Sequence, residues 1–266
     1  MATVSRSARL RTLLGWPIGI ATVSWRYMWR TTPLHRSEEP GTKADLPDPV
    51  YSHGGRAAGR QTLEMGTGPM LHRSYTVRIT GSSMTPAALV DLVAESLNQV
   101  SPEMAVFRKT RGTAGALRLG DEFLVRMPGP WDGPVRVVRR DPATFRLATL
   151  DGHLEAGEIE FRAEPDGDTL RFEIESWARA GDRLAALLYN RLRLAKEIQL
   201  NMWSHFCVRT AALAGGRPQG GITIRTRWVT WPEHTENGAS RLGEAGPGSP
   251  ATAPRARCSV HGPGRS

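Results

Sequence analysis

Apolar and polar residues alternate over residues 71–79, which predicts a half-buried β-strand. Gly81-Ser82-Ser83 turns the chain, and Thr85 with Pro86 then opens a helix whose apolar residues recur every three or four positions. A second short helical turn is predicted over residues 101–106. The pattern therefore predicts one strand followed by a pair of short helices.

The stretch after these helices is predicted to form six short strands. Aliphatic, aromatic and β-branched residues fill each run, and turn sequences such as WDGP, RRDPA and EPDGD separate them. Connections this short join antiparallel neighbours, because a parallel pair needs a crossover of about a dozen residues. The predicted strands cover residues 105–109, 122–127, 135–139, 144–150, 158–163 and 169–177.

A long amphipathic helix is predicted over residues 182–214, with Gly215-Gly216 as its C-cap. Such a helix must bury its apolar stripe, and the apolar face of the sheet is the surface available to it. The element order therefore predicts an α+β fold, in which a curved antiparallel sheet of about seven strands wraps around the long helix. A gap between helix and sheet would be a ligand cavity.

Charge is concentrated at the two ends of the chain. The net charge is +9, but residues 1–36 carry six arginines and no acidic residue, and residues 215–266 carry seven arginines against three acidic residues. The middle of the chain is close to neutral. Because a nucleic-acid-binding domain usually shows its basic stripe on the folded unit, we expect no nucleic-acid partner for the core.

The two cysteines make no disulfide framework, and no Cys/His set has the spacing of a zinc site. We therefore expect a reducing, cytoplasmic location, no metal and no cofactor.

Domain organisation follows from composition. Residues 1–36 form a basic, tryptophan-rich segment, residues 37–58 a linker rich in Pro, Gly and charge, and residues 59–215 the folded domain. Residues 216–266 are predicted to be a disordered tail. Within this tail the alternation of residues 222–232 allows either a short extra strand or a docking segment.

The N-terminal segment is too short and too interrupted to span a bilayer, because Pro17 and Arg26 break its apolar run. Indole rings and guanidinium groups suit a lipid headgroup interface, so one alternative is peripheral contact with an anionic membrane. A short helix packed on the domain and a cleaved signal peptide are the other two alternatives. The candidate membrane contacts are Trp16, Trp25, Trp29, Arg26 and Arg30.

Four blocks of the sequence closely resemble, in order, a bacterial and plant domain-of-unknown-function family numbered nineteen-ninety. The blocks are GDEFLVRMPGPWDGPVRVV, ATLDGHLEAGEIEFRA, FEIESWARAGDRL and LLYNRLRLAKEIQLNMW. The N-terminal string GWPIGIATVSWRYMWRTTPLHR is similar to a leader on some members. The resemblance implies a helix-grip fold of the START-like, pollen-allergen-like superfamily, which agrees with the element order, and it implies no activity.

Arg191 interrupts the apolar stripe of the long helix. A lone buried charge costs several kcal/mol, so Arg191 must form an ion pair, reach solvent or face the polar part of a ligand. Trp131 lies in a proline-flanked loop that can form the rim of a cavity, and Tyr189 lies away from the stripe. The candidate cavity residues are Arg191, Leu188, Met202, Trp131, Trp177 and Tyr189.

Three further residues are candidates for chemistry. Glu173 and Glu175 share a strand face that is predicted to meet solvent, and a carboxylate pair can perform acid–base work. Trp177 shares this face, so either a bulge near Ser176 exchanges the faces or Trp177 packs under a loop or the N-terminal segment. His153, with the acidic residues that follow it, is a candidate metal ligand, although a glycine-rich hairpin loop explains the motif equally well.

No nucleophile-elbow, phosphate-loop, dinucleotide-binding or HExxH motif occurs in a supporting context. The leading hypothesis is a domain that binds a hydrophobic or amphipathic, lipid-like small molecule between sheet and long helix. One alternative is a peripheral membrane or protein-interaction module that uses residues 1–36. Another is a cavity enzyme of unknown reaction.

Overall fold

The computed structural model describes residues 32–49, 59–103, 105–126, 132–181 and 194–231, with side chains from residue 199 onward in the last range. All of them belong to one unit, residues 1–232, and the second unit, residues 233–266, lies outside the described residues.

Nine strands and three α-helices form within the described ranges, together with two 3-10 turns at Lys43–Asp45 and Leu63–Met65. In chain order the elements are β1 (Leu34–Pro40), β2 (Thr67–Thr80), α1 (Pro86–Glu95), α2 (Leu97–Val100), β3 (Val106–Arg111), β4 (Glu122–Arg126), β5 (Gly133–Asp141), β6 (Thr144–Thr149), β7 (Glu155–Asp166), β8 (Thr169–Ala180), α3 (Leu194–Leu213) and β9 (Arg217–Val229).

The strands form one sheet in the order β1-β9-β2-β8-β7-β6-β5-β4-β3. Every neighbouring pair is antiparallel except β1 and β9, which run parallel. The predicted antiparallel meander is therefore present as β3 to β8. The predicted count of about seven strands was wrong, because one further strand precedes the predicted series in the chain and one follows it, and both lie at the same edge of the sheet, beside β2.

The additional strands change both boundaries of the predicted domain. β9 was one of two alternatives within the predicted tail, and its Ile222 and Ile224 are buried against the core. β1 spans the end of the predicted N-terminal segment and the start of the predicted linker, and six of its seven residues are exposed. Backbone pairing with β9 and the ion pair between Glu39 and Arg227 hold it. The folded region thus includes residues 34–40 and 217–229, beyond the predicted limits of 59 and 215.

The three helices cover one face of the sheet, here called the helix face and marked by Tyr75, Phe161 and Phe172. α1 begins as predicted, because Thr85 Oγ1 accepts a hydrogen bond from the Ala88 N–H at 3.2 Å. α1 packs on β6 and β7, whereas α3 packs on β2, β8, β9 and α2.

The second short helix, α2, lies about one turn before the predicted position. Pro102 explains the difference, because a proline disfavours helical geometry in the residue that precedes it.

The described part of α3 lies within the predicted long helix and ends at Leu213. Gly215, two residues later, has a positive φ of 70°, which suits the C-terminal cap of a helix. Residues 182–193 of that predicted helix lie outside the described residues. Within the described ranges, no helix is both long enough and apolar enough to cross a bilayer.

Aromatic side chains join α3 to the sheet. Phe206 on α3 is fully buried, with ring centroids 5.3 Å from Phe161 and 6.3 Å from Phe172. Trp203, one turn earlier, meets Phe161 edge-on at 5.7 Å. Aromatic rings dominate the area that a core buries. These contacts fix the position along the strands at which α3 crosses them.

Candidate ligand cavity

A cavity of about 70 Å³ lies between α3 and the helix face, near the start of β7 and the end of β8. Side chains of β2 to β6 and α3 give it an apolar wall. That wall is formed by Leu71, Phe107, Val125, Val135, Leu147, Met202 and Trp203.

Small residues leave this space open. Gly157 on β7 and Ser176 and Ala178 on β8 line the cavity where larger side chains would fill it. The sheet itself requires the glycine, because a Cβ at Gly157 would come within 1.9 Å of the Trp177 carbonyl oxygen. The close approach of β7 and β8 therefore excludes a side chain at Gly157, and this part of the cavity wall stays open.

Polar side chains stand at one end of the cavity, where the lining residues are half-buried. Gln199 Nε2 donates a hydrogen bond to Glu155 Oε1 at 2.8 Å, which ties α3 to the start of β7. The backbone N–H of Glu155 donates to His153 Nδ1 at 2.9 Å. We call His153, Glu155 and Gln199 the polar mouth of the cavity.

The hydrogen bond to His153 determines where its proton lies. A backbone N–H can only donate, so Nδ1 must offer its lone pair and the proton of the neutral imidazole sits on Nε2. Burial lowers the pKa of His153, while the charge of Glu155 acts in the opposite direction. Nε2 has no hydrogen-bond partner among the described residues and lies close to Gly133. His153 therefore presents a donor, and this tautomer does not act as a general base.

The structure brings two of the predicted site residues, Met202 and His153, into the lining of one cavity. Trp177 belongs to the opposite, outer face of the sheet, so its predicted place in the cavity is corrected. The remaining predicted cavity residues lie outside the described residues, and their roles stay predictions; they are Arg191, Leu188, Trp131 and Tyr189.

No bulge exchanges the faces near Ser176, because β2 and β8 keep a continuous register there. Trp177 is instead 5% exposed and packs with Leu63 of the second 3-10 turn, so it lies under a loop. Its ring stacks on His72 at 5.5 Å, and the Arg146 guanidinium lies over it at 5.0 Å.

The outer face carries the two predicted acid–base carboxylates, but they are covered rather than exposed to solvent. Glu173 accepts a hydrogen bond from Arg162 at 2.7 Å, and Glu175 accepts one from His72 at the same distance. Burial alone would raise the pKa of Glu175, but His72 and Arg162 lower it to a net position below its usual range. Both carboxylates are thus held in ion pairs, and neither reaches the cavity.

The segment around the first 3-10 turn provides this cover. Asp45 approaches His72 at 3.3 Å and accepts a hydrogen bond from Arg227 at 2.8 Å. The backbone carbonyl of Asp48 accepts a hydrogen bond from Arg146 at 2.9 Å, and Arg146 is only 2% exposed. The predicted solvent face is therefore a buried ionic layer.

Sequence reasoning did not identify Gln199 and mentioned Glu155 only as a neighbour of His153. Gln199 lies three positions before Met202 on α3, and residues three apart share a helix face. That spacing was the available signal. No group of three or more metal-binding side chains occurs in the described ranges. Residues 1–31 lie outside those ranges, so membrane contact through Trp16, Trp25, Trp29, Arg26 and Arg30 stays a prediction.

These elements define an α+β domain with a long helix across a nine-stranded sheet and a small, mostly apolar cavity between them. The sequence profile described as Domain of unknown function (DUF1990) matches residues 55–209, which is more than half of the chain. The chain therefore belongs to this family, and the predicted resemblance is confirmed.

Solved structures that align with this chain include a START superfamily protein from Mycobacterium smegmatis, at 17% identity and a TM-score of 0.40, with coverage of 53% of this chain and 99% of that one. A hypothetical protein from Helicobacter pylori aligns at 12% identity and a TM-score of 0.41, with coverage of 53% and 86%. Ara h 8.0201 aligns at 9% identity and a TM-score of 0.40, with coverage of 55% and 99%. Nothing about ligand or activity follows from likeness at this level. A search of curated proteins finds no match.

Proposed function

We propose that this domain binds a small hydrophobic or amphipathic molecule in the cavity beneath α3. The observation that carries the proposal is the arrangement of the lining, with an apolar wall and a polar mouth at one end. Ligand sites are typically apolar pockets with a few convergent polar groups that orient the ligand. The cavity has this composition, because its wall is apolar and its polar mouth consists of His153, Glu155 and Gln199.

The cavity volume limits the size of the ligand. About 70 Å³ is well below the ~300 Å³ of the smallest sites for drug-sized molecules. A single ring or the end of a chain is therefore the part that enters. Met202 and Gln199 line the cavity and have long, flexible side chains, so small shifts in them enlarge the space.

The predicted acid–base residues do not form a catalytic set in the cavity. The imidazole of His153 offers a proton rather than a lone pair, and the carboxylates of Glu173 and Glu175 lie on the other face of the sheet. Glu155 is the carboxylate that lines the pocket, and its role in the proposal is to bind the polar part of a ligand.

Filling the cavity tests the proposal. Ala178 lines it, so Ala178→Leu places three additional carbon atoms in the space. Toluene is the probe, and its binding is measured by isothermal titration and by the NMR signal of the Met202 methyl group. We expect toluene to shift this signal in the parent protein and to lose at least about tenfold in affinity in Ala178→Leu, because overpacking excludes the ring.

Ala143→Leu is the matched control, because Ala143 lies in the β5–β6 turn and not in the cavity lining. This variant should bind toluene as the parent does. The proposal is rejected when toluene leaves the Met202 methyl signal unchanged up to its solubility limit, or when Ala178→Leu binds it as well as Ala143→Leu.

A further inference from the structure

The polar mouth offers one hydrogen-bond donor and one acceptor to whatever occupies the cavity. The donor is the Nε2–H of His153, which has no partner among the described residues. The acceptor is the carboxylate of Glu155, of which Oε1 already accepts from Gln199. Its second oxygen, Oε2, has no hydrogen-bond partner among the described residues.

Among the described residues that line the cavity, the charged side chains at the mouth are acidic. Glu155 is held by the neutral amide of Gln199, and no cationic partner of Glu155 occurs among the described residues. Glu158 also borders the cavity, but its carboxylate turns to the outer face and pairs with Arg60 and Arg146. Within the described part of the chain, Glu155 is therefore the charged side chain that a ligand meets.

We infer that the cavity selects an apolar molecule with a neutral hydroxyl group, such as a phenol or an alcohol, and discriminates against a carboxylate. This inference rests on the proposed function and names the chemical class of its ligand. The oxygen of a hydroxyl group accepts a hydrogen bond from the Nε2–H of His153, and the same hydroxyl group donates a hydrogen bond to Glu155. One hydroxyl group thus forms hydrogen bonds with both the donor and the acceptor of the polar mouth.

An anionic headgroup meets a different situation. A carboxylate can accept from His153, but it has no proton for Glu155 and places two like charges together where water is scarce. Specificity built in this way uses repulsion against the wrong ligand as well as attraction for the right one. An apolar ligand without a headgroup forfeits both hydrogen bonds and meets no repulsion, so it should rank between the two.

Three probes of one shape test this ranking at neutral pH. They are 4-methylphenol, toluene and 4-methylbenzoate, of which the phenol is neutral and the benzoate ionised at pH 7. Isothermal titration should show that 4-methylphenol binds about tenfold more tightly than toluene, which is the gain in affinity expected from one net hydrogen bond. It should give 4-methylbenzoate weaker than toluene by a similar factor.

Substitutions at the mouth assign the effect to its residues. Glu155→Gln removes the charge but keeps an oxygen that can accept from Gln199, so 4-methylbenzoate should rise to the affinity of toluene. His153→Leu removes the donor and should reduce the advantage of 4-methylphenol, because only the hydrogen bond to Glu155 remains. His153→Gln supplies an amide N–H and should retain more of the advantage. Urea unfolding confirms that each variant is folded before its affinities are compared.

The outcomes separate this inference from the proposal beneath it. Equal binding of all three probes, or unchanged discrimination in Glu155→Gln, overturns the inference and leaves a cavity that binds apolar molecules without regard to headgroup. Failure of all three probes to bind overturns the proposed function as well. The predicted order of affinities supports both, provided that Glu155→Gln and His153→Leu change it as stated.

Discussion

At the scale of single residues, His153 shows how a local hydrogen bond decides chemistry. Its imidazole follows the glycine-containing turn before β7, and the backbone of Glu155, only two residues later, fixes its tautomer. The motif offered two interpretations as a sequence, a metal ligand and a glycine-rich hairpin loop. The structure places His153 in the loop between β6 and β7, where it lines the cavity as a neutral donor.

The lowered pKa of His153 predicts a dependence of stability on pH. The group titrates near 6.5 in the unfolded chain and lower in the folded protein, because burial opposes its charged form. Its contribution to stability is complete above pH 6.5 and is lost as the pH falls toward the folded-state pKa. We expect the free energy of unfolding, relative to His153→Gln, to fall by at most about 1.4 kcal/mol per pH unit below this point.

Urea unfolding of both proteins is measured between about pH 8 and about pH 5.5. Subtracting one free energy of unfolding from the other cancels the titration of the other histidines, which both proteins share. A difference that is constant, or that grows as the pH falls, contradicts a neutral, buried His153.

Glu173, Glu175 and Trp177 mark the limit of prediction from sequence at the residue scale. Alternation along β8 correctly placed all three on one face, away from Phe172 and Ile174. It did not reveal that this face is buried. The cover comes from Asp45 and Leu63, more than a hundred positions earlier in the chain, and strand periodicity carries no information about such distant segments.

At the scale of elements, the junction between β1 and β9 depends on two adjacent glycines. Gly220 and Gly221 have φ angles of 72° and 93°, at a place where β9 shifts register against β2. Beside them, Ile222 N–H donates to the Pro33 carbonyl oxygen at 2.9 Å, which fixes the start of β1. The two glycines differ in their surroundings, because a Cβ at Gly221 would lie 2.3 Å from Pro33 O, whereas a Cβ at Gly220 meets nothing within 4 Å.

Alanine substitution at the two positions separates backbone strain from steric conflict. Gly220→Ala should lower the free energy of unfolding by about 1–2 kcal/mol, the cost of a left-handed conformation for a residue with a Cβ. Gly221→Ala carries the same cost plus the displacement of Pro33, so we expect it to be lower by a further ~1–3 kcal/mol. Urea denaturation measures both values. Equal losses in the two variants would show that the start of β1 contributes nothing to stability.

Elements with their own periodicity were predictable, and elements that depend on distant partners were not. Strands β3 to β8 and helix α1 could be placed from alternation, turn residues and the Thr85 cap. β1 has the sequence LHRSEEP, which shows no alternation because both of its faces are exposed. The position of this parallel edge strand depends on β9, a distant segment with which it pairs.

At the scale of the whole molecule, the residues that match the family and the residues that form the sheet cover different parts of the chain. The match covers residues 55–209, so β1 and β9 lie outside it although they complete one end of the sheet. The excess of positive charge also lies mainly outside the match, in residues 1–36 and 215–266. The family region thus provides the cavity, while the flanking regions provide the sheet edge and most of the net charge.

This distribution of charge makes the membrane alternative testable in the full chain. Arg26→Glu combined with Arg30→Glu should weaken binding to vesicles that contain phosphatidylserine by at least about tenfold, because each basic residue near such a surface contributes about 1 kcal/mol. Vesicle sedimentation measures the bound fraction. Arg108→Glu combined with Arg111→Glu makes the same change of charge at exposed positions on β3 and is the matched control. Equal losses in the two double variants would mean that net charge, rather than the N-terminal segment, governs the attraction.

The parallel pairing of β1 with β9 also has a consequence for biosynthesis. His35 of β1 bonds to the Gly220 carbonyl, 185 positions later in the chain, and β9 is the partner that β1 has among the described strands. At translation rates of about 5–20 residues per second, β1 leaves the ribosome roughly 10 to 40 seconds before that partner exists. Its arginine, histidine and two glutamates keep the waiting strand soluble, so the lack of apolar residues that hides β1 from sequence analysis also protects the nascent chain from premature association.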